Sequence, residues 1–515
     1  MFRRSQLTLN LIANFGGAIY TGLIGLMVAP LYIRLMGIEA YGLIGFYLTL
    51  QGSLQILDFG LSPTINRELA RYSVQSDKAT EARDLVRTLE AGYWLLGAVI
   101  GLVLTAIAPM IGSNWIRSDT LSSAVTITTI RLMGGLAFLQ WPLSLYQGGL
   151  LGLQQQVRLN VILVVLSTLR NGGALLVLTF LSRDIRLFFV WQIVMAGLQV
   201  ALTTISLWRA LPASSEKPKI NYNQLRSSWK FAAGMSGIAV SGLILTQLDK
   251  LMLSTMLSLK GFGYYTLAGV IASSLYMLIA LVFNGVFPRL TALAAADDHN
   301  AVRRLYRQST QLMAALIWPV TGVFVYFAPQ LLGLWTGDAQ TADQTAPIVR
   351  LLLVGTALNG MMHVPYALQL AHGWTSLNLR LNVMLIALLV PGLAFAVQYW
   401  GATGAAAVWA ILNMFYVLLG VPLTHRRLLT GEAGRWFFRG LVVPLAGVLG
   451  VVVVVGAQLP STAWPAWTML LSAGVIGLMA FGAAVGLAPD LRRAALRPAD
   501  WFLTWLQARK ADRGT

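Results

Sequence analysis

Residues 30–65 read PLYIRLMGIEAYGLIGFYLTLQGSLQILDFGLSPTI, and this stretch decides the fold. An apolar run of about twenty residues begins at Tyr41, which is the length that an α-helix needs to cross a bilayer. Another apolar run, residues 10–32, precedes it, and the loop between them contains Arg34 as its only basic residue. The segment that follows, residues 63–88, contains five Lys or Arg. This asymmetry is typical of two membrane spans with a cytoplasmic segment after the second one.

The same alternation continues along the chain and predicts an all-α integral membrane protein with about 14 transmembrane helices. If the N-terminal side is the inner side, the inner segments contain 28 of the 37 Lys and Arg, the outer loops six and the spans three. We therefore expect both termini in the cytoplasm. The predicted spans are residues 10–32, 41–62, 89–112, 122–146, 160–182, 187–208, 231–255, 263–287, 310–334, 347–371, 381–400, 404–423, 441–459 and 467–488.

Composition agrees with a membrane protein, since the chain is 57% hydrophobic and 11% charged, with a mean hydropathy of +0.69. The net charge of +18 does not indicate a nucleic-acid partner, because the basic residues lie in short loops at the membrane edge, where they meet anionic lipid. The absence of cysteine excludes disulfides and thiolate metal sites.

The loops favour a transporter over an enzyme. The longest outer loop, about residues 335–346, is too short to form an extracytoplasmic domain. No G-x-x-x-x-G-K-[ST] sequence is present to bind ATP phosphates. We expect a secondary transporter or flippase without a cofactor, with H⁺ or Na⁺ coupling left open.

A weak internal repeat is the next feature. Residues 249–290 read DKLMLSTMLSLKGFGYYTLAGVIASSLYMLIALVFNGVFPRL, which parallels residues 30–65. Each stretch places an aromatic loop at the outer surface, Ala40-Tyr41-Gly42 or Gly263-Tyr264-Tyr265, and ends the next helix with Gly-x-x-Pro. Six helices separate equivalent points, so the two copies have the same orientation in the membrane. Parallel repeats of this kind place the substrate site at the interface of the halves.

These stretches, together with DFGLSPTINRELARY and TQLDKLMLSTMLSLKGFGYYTLAGVIASS, resemble the polysaccharide-transporter family of bacterial lipid-linked oligosaccharide (O-antigen/exopolysaccharide) flippases. That family belongs to the multidrug/oligosaccharidyl-lipid/polysaccharide (MOP) flippase superfamily. The resemblance covers about residues 1–425. It implies a bacterial inner-membrane flippase that moves an undecaprenyl-diphosphate-linked oligosaccharide from the cytoplasmic to the periplasmic leaflet by alternating access.

The resemblance also implies two pseudo-symmetric six-helix bundles around a central cavity. We predict these bundles over residues 1–210 and 225–425, followed by two additional transmembrane helices over residues 440–488. A cytoplasmic basic amphipathic tail over residues 489–515 is expected to lie on anionic membrane lipid. Other polysaccharide-assembly membrane proteins are further candidate partners.

Cationic residues inside the spans are candidates for binding the diphosphate. Arg170 lies near the midplane, where a charge costs about 2.5–3.5 kcal/mol to insert, so it should face protein or water. Arg131 lies nine residues from the outer end of its span, and Lys250 lies near the outer end of another. Guanidinium groups present paired donors to phosphate oxygens. The alternatives are an ion pair of Arg170 with Asp58 or Asp249, and snorkelling of Lys250 to the interface.

Three residues are candidates for coupling or gating: Asp58, Asp249 and His363. His363 titrates near neutral pH and could relay protons, or it could be a packing residue. Asp249 could hold an outer gate, and Asp58 could pair with Arg67 or Arg71.

A set of amides could line a hydrophilic cavity and bind sugar hydroxyls, or could form interhelical hydrogen bonds instead. Its members are Asn14, Gln51, Gln55, Gln140, Asn171, Gln247, Asn284 and Asn359. Three Gly-x-x-x-Gly pairs predict close helix packing: Gly97/Gly101, Gly148/Gly152 and Gly482/Gly486.

The leading alternative function is a multidrug/cation antiporter of the same superfamily. Such pumps need membrane-embedded carboxylates, whereas no Asp or Glu lies between Leu7 and Ile38. A non-transporting scaffold of glycan assembly is the other alternative, and a polar cavity would argue against it.

Overall fold

The computed structural model describes residues 2–58, 61–73, 75, 78–214, 216–221, 247–458 and 466–495. Regular secondary structure in these ranges is helical, which confirms the predicted all-α class. The helices are α1 Phe2–Met36, α2 Ile38–Leu54, α3 Leu61–Tyr72, α4 Ala79–Met110, α5 Ser123–Gln140, α6 Leu143–Gly152, α7 Gln156–Phe180, α8 Ile185–Ala210, α9 Leu259–Ala295, α10 His299–Tyr326, α11 Ala328–Thr336, α12 Ala339–Ala371, α13 Ser376–Leu428, α14 Ala433–Gly456, α15 Ala466–Gly486 and α16 Pro489–Ala495.

The number of membrane spans is consistent with the prediction of about 14. Ten helices in the described ranges are long and apolar enough to cross a membrane. The predicted second and fourth spans begin in α2 and α5, which have only 17 and 18 residues. The predicted span 231–255 lies mostly outside the described residues, as do Gly60 of the repeat and residues 496–515 of the predicted tail.

Two of the predicted spans, residues 381–400 and 404–423, lie on the two sides of a break in α13, so the prediction of two separate spans is confirmed here. The helix is broken at Gly401, which has φ 55° and ψ −137°. Glycine takes up this left-handed conformation readily because it has no Cβ. A Cβ at Gly404 would collide with the carbonyl oxygen of Ala396, so the chain folds tightly across the break.

The chain divides into two compact units, Met1–Leu267 and Ala268–Thr515. In the first, α1 packs against α7, α4 against α5, α3 against α6, and both α5 and α7 against α8. In the second, α12 packs against α11 and α13, while α10 packs against α12, α14 and α15. The boundary lies within α9, and the domain limits predicted from the sequence stay a prediction.

The last two long helices have an apolar outer face. Val453 and Val454 on α14 and Leu470 and Leu471 on α15 are exposed. Their other face lies on α10, where a Cβ at Gly322 would come 2.9 Å from Val448. Large exposed aliphatic side chains on spanning helices are suited to contact with lipid.

Two of the three predicted glycine pairs lie at close helix contacts. A Cβ at Gly101 would lie 3.0 Å from the carbonyl oxygen of Gly134, and one at Gly148 would lie 2.8 Å from that of Ser62. Among the described residues, nothing lies within 4 Å of the corresponding position at Gly482 or Gly486, so the prediction is wrong for that pair. Spacing alone does not reveal which face of a helix meets a neighbour.

The Gly152→Ala variant is expected to unfold more easily, because the added methyl group would overlap the backbone of Asn66, which cannot move aside like a side chain. We expect a loss of about 1–3 kcal/mol, typical of overpacking a close contact. The measurement is thermal unfolding of the purified protein in detergent. Gly482→Ala is the matched control, since its methyl group meets open space, and an equal effect of both variants would contradict the packing explanation.

Candidate functional site

Arg170 lies on α7 with its side chain directed at α8 in the first unit. Its Nη2 donates a short hydrogen bond to Oε1 of Gln199. The indole Nε1 of Trp191, also on α8, donates to the Arg170 carbonyl oxygen at 3.0 Å. Gln199 is buried and Arg170 itself is half-buried, so the guanidinium reaches into the contact between α7 and α8.

The charge of Arg170 is not neutralised by a carboxylate among the described residues, so the ion pair with Asp58 or Asp249 considered from the sequence is not found there. Its electrostatic partners are the hydroxyl groups of Tyr47 and Tyr32. Its Nε atom is buried and has no hydrogen-bond partner in the described part of the chain. A half-buried guanidinium with neutral neighbours and a spare buried donor is suited to binding an anion.

Polar side chains from neighbouring helices lie around this arginine. Oε1 of Gln140 accepts hydrogen bonds from Tyr47 Oη at 2.7 Å and from Gln51 Nε2 at 2.6 Å. Tyr32 Oη donates to Asn171 Oδ1 at 3.2 Å. Edge-to-face ring contacts run from Tyr32 through Phe188 and Phe189 to Tyr47, and they join these two groups of hydrogen bonds. We call it the Arg170 network; its members are Tyr32, Tyr47, Gln51, Gln140, Arg170, Asn171, Phe188, Phe189 and Gln199.

Sequence reasoning therefore found four members of the network and missed the others. Gln199 is a single amide in an apolar span, like the amides that were selected, and it could have been found by the same criterion. Tyr32 and Tyr47 could not have been found in this way, because tyrosines are common in membrane spans. Only the hydrogen-bond partners of their hydroxyl groups distinguish these two from the others.

A second polar cluster lies within the second unit. Asn359 Nδ2 donates to Asn413 Oδ1 at 2.8 Å, and Asn359 Oδ1 accepts from Tyr276 Oη at 3.1 Å. His363 Nδ1 lies 3.0 Å from the backbone oxygen of Asn359, and its ring packs against Tyr276 and Phe283. This cluster has no formally charged member in the described residues, so of the two clusters only the Arg170 network contains a cation.

The other selected residues lie elsewhere. Arg131 is exposed on α5, and none of the described contacts joins it to the Arg170 network. Among the amides, Asn14 accepts a hydrogen bond from Asn160 Nδ2 at 2.6 Å. The side chain of Gln247 packs directly against Gly52, where an added Cβ would lie 2.6 Å from it. Gln55 and Asn284 are exposed.

Asp58 joins three helices of the first unit. Its carboxylate accepts hydrogen bonds from Tyr93 Oη at 2.5 Å, from the Ser62 backbone N–H at 3.2 Å and from Ser144 Oγ at 3.3 Å. Arg71, one of the partners considered from the sequence, pairs instead with Glu68 at 3.5 Å. These contacts indicate a structural role for Asp58 at the start of α3.

Asp249 lies beside the outer part of α9. Tyr265 Oη donates to Asp249 Oδ2 at 3.2 Å, and Lys250 Nζ lies 3.4 Å from Oδ1. Lys250 keeps 39% of its side chain exposed, whereas Asp249 keeps 9%. The lysine charge is therefore partly neutralised by its neighbour, and the tyrosine links residues 247–256 to α9.

The two aromatic repeat segments, predicted as loops, lie instead in the first turns of α2 and α9, where they meet within the first unit at a reciprocal crossing. A Cβ at Gly42 would collide with the Leu259 carbonyl oxygen, and a Cβ at Gly263 with that of Ile38. Gly42 lies four residues after Ile38, and Gly263 lies four residues after Leu259. Reciprocal contacts between equivalent positions are the mark of a twofold relation, and they support the internal repeat.

Glu39 secures a loop beside this crossing. Its carboxylate accepts from Ser118 Oγ at 2.6 Å and from Thr120 Oγ1 at 2.7 Å, and it also accepts from the backbone N–H groups of Asp119 and Thr120. The Arg117 carbonyl oxygen accepts from the Leu259 N–H at 2.7 Å. Three predicted outer segments thus meet at one place, which agrees with their assignment to the same side of the membrane.

Residues 7–294 match a family model described as "Polysaccharide biosynthesis protein". A Shigella flexneri protein described as "Putative O-antigen transporter" is 22% identical over 420 residues, which covers 79% of this chain and 94% of that protein.

Two solved structures share the fold. The lipid II flippase MurJ in an inward closed conformation superposes with a TM-score of 0.69 at 12% identity, over 94% of this chain and 99% of that one. A multidrug resistance MATE family transporter of the MOP superfamily, in an inward-facing conformation, gives a TM-score of 0.62 at 16% identity, over 84% and 98%. At these identities the likeness extends to the fold alone.

Proposed function

Because the chain belongs to the family described as polysaccharide biosynthesis protein, we propose that it is a flippase for an undecaprenyl-diphosphate-linked oligosaccharide. It moves this lipid from the cytoplasmic to the periplasmic leaflet of the bacterial inner membrane by alternating access, for the assembly of a cell-surface polysaccharide. Both termini lie in the cytoplasm, where the basic segments belong under the positive-inside rule.

The observation that carries this proposal is the charge of Arg170. A buried cation without a carboxylate partner is costly in a membrane protein unless a ligand or water compensates it. A diphosphate offers several anionic oxygens, and a guanidinium binds such oxygens with paired donors. The neighbouring Gln51, Gln140 and Asn171 supply amide groups that can exchange their present interhelical hydrogen bonds for bonds to sugar hydroxyls.

The same observation separates the flippase from the cation antiporter. The shared fold does not distinguish these two functions, because one structural neighbour is a lipid II flippase and another is a multidrug transporter. An antiporter for cations needs an acidic site in the membrane, whereas α1 has no Asp or Glu from Leu7 onward and the Arg170 network is cationic. A scaffold without transport has no need to keep a buried cation uncompensated.

Purified protein in liposomes is expected to move a fluorescent undecaprenyl-diphosphate oligosaccharide between leaflets, because its buried cation can shield the diphosphate during passage. The measurement is the fraction of the probe that a membrane-impermeant quencher reaches over time, with and without H⁺ or Na⁺ gradients. Protein-free liposomes are one control, and ethidium uptake under the same gradients tests the antiporter. Ethidium transport without lipid movement would refute the flippase.

A further inference from the structure

Two helices of the second unit, α10 and α14, supply arginines to Glu432, which lies in the connection between α13 and α14. Arg307 on α10 donates from Nε to Glu432 Oε2 at 2.8 Å and makes a second, short bond from Nη2 to Oε1. Arg435 Nη1 lies 3.5 Å from Oε1, and Arg303 Nε lies 3.9 Å from it. Hydrogen bonds from Arg307 and the charges of the three arginines hold the pKa of Glu432 below its usual value, so it is an ionised acceptor.

Donors around this carboxylate outnumber acceptors. Arg439 and Asp490 line the same cavity. Asp490 Oδ2 is engaged by Gln311 Nε2 at 3.1 Å. Three guanidinium groups, those of Arg307, Arg435 and Arg439, thus face two carboxylates, and each guanidinium has five N–H groups, so the donors outnumber the carboxylate oxygens.

Two buried donors also point to a missing acceptor. The side chains of Tyr306 and Trp436 line the cavity and are 1% and 4% exposed. Neither the Tyr306 hydroxyl nor the Trp436 Nε1 has a hydrogen-bond partner in the described part of the chain. Buried donors are nearly always paired in native proteins, so the cavity is suited to an occupant that only accepts hydrogen bonds.

The size of the cavity limits how the occupant enters. The cavity is partly open, and its narrow inner part has room for about one water-sized group, such as a single phosphate oxygen. The remaining oxygens of a phosphate would stay at the mouth, where Arg435 and Arg303 are 44% and 40% exposed. A phosphate could thus bind the arginines without displacing Glu432.

The setting is that of a membrane interface. Phe438 and Val442 follow Trp436 on α14 and are 63% and 48% exposed, as expected of side chains that meet lipid. Arginines beside interfacial aromatic residues at the basic end of membrane helices are suited to anionic headgroups.

We propose that the cavity at Glu432, with Tyr306, Trp436, Arg435 and Arg439, binds the phosphate of an anionic phospholipid headgroup. This site is separate from the Arg170 network and does not depend on which substrate is transported. A lipid bound here joins the start of α14 to α10 and stabilises the attachment of the last two long helices.

Lipid binding is measured on the full-length protein by native mass spectrometry with added palmitoyl-oleoyl phosphatidylglycerol. Arg435→Gln/Arg439→Gln is expected to raise the Kd of the first bound lipid about thirtyfold, given the usual gain per basic residue at a membrane surface. Tyr306→Phe, which removes only the unpartnered hydroxyl, is expected to raise it about fivefold. Phosphatidylcholine should bind weakly to all forms.

The matched control is Arg426→Gln/Arg427→Gln, which removes the same charge from exposed positions at the end of α13. It should leave the Kd unchanged. Equal Kd values for the wild type and Arg435→Gln/Arg439→Gln would overturn the proposal, as would a Tyr306→Phe protein that is more stable and binds lipid normally. Displacement by millimolar inorganic phosphate would assign the cavity to a soluble phosphate instead of a lipid.

Discussion

The Arg170→Ala variant is expected to reach the membrane at a normal level and to transport lipid-linked oligosaccharide about 100-fold more slowly, since hydrogen bonds to charged groups are among the strongest. Folding should survive because the partners of Arg170 are Gln199 and two tyrosines, and its removal strands no carboxylate. The measurements are a membrane blot and the liposome assay at equal protein.

Arg170→Lys should restore only part of the rate, because an ammonium lacks the paired donors of a guanidinium. Arg186→Ala is a suitable control, since that arginine is exposed and pairs with Asp184 at the start of α8. Normal transport by stable Arg170→Ala protein would refute the diphosphate role. Loss of the protein from the membrane would instead assign Arg170 to the structure.

Alanine at Gly42 or at Gly263 is expected to hold the outer crossing open, because each methyl group would collide with a backbone carbonyl of the opposing segment. Each methyl group should destabilise the closed crossing by roughly the 1–3 kcal/mol typical of overpacking. The two single variants should therefore slow transport to a similar extent, by about tenfold. The double variant should add little, since both methyl groups separate the same pair of helices.

The absence of native cysteine makes the opening measurable with a single introduced thiol. Ala40 is 2% exposed, so Ala40→Cys should resist a membrane-impermeant maleimide in the parent protein and react in the Gly42→Ala background. Gly269→Ala, on the same helix as Gly263 but with nothing within 4 Å of its added methyl group, should change neither reactivity nor transport. Unchanged labelling in all three backgrounds would contradict the role of the crossing.

Membrane spans could be predicted from the sequence because the bilayer imposes a length and a polarity that local composition must meet. The Gly-x-x-x-Gly spacing correctly placed Gly101 and Gly148 at helix contacts, but it failed at Gly482, which lies on an open face. Hydropathy also separated residues 381–400 from residues 404–423, and the structure breaks α13 at Gly401, between these two spans.

Within the candidate site, the sequence identified Arg170 as a residue that needs compensation, since a charge at that depth is unfavourable in any fold. It left the partner open between acids and ligand, because ion pairs join residues distant in sequence. The described contacts assign Asp58 to Tyr93 and Asp249 to Tyr265, and leave Arg170 with Gln199. The partners of Glu432 could not be predicted from the sequence either, because its arginines come from two different helices.

The sequence alone thus indicated a multi-pass helical membrane protein with a cation inside a span and a repeated aromatic motif. These properties follow from the composition of single segments in a membrane. Only the tertiary structure decided which donors meet which acceptors, and hence that Arg170, Tyr306 and Trp436 keep hydrogen-bonding capacity that the described residues do not use. A hydrogen bond needs its donor and acceptor atoms to lie about 3 Å apart. When these atoms belong to different helices, no local pattern in the chain specifies that distance.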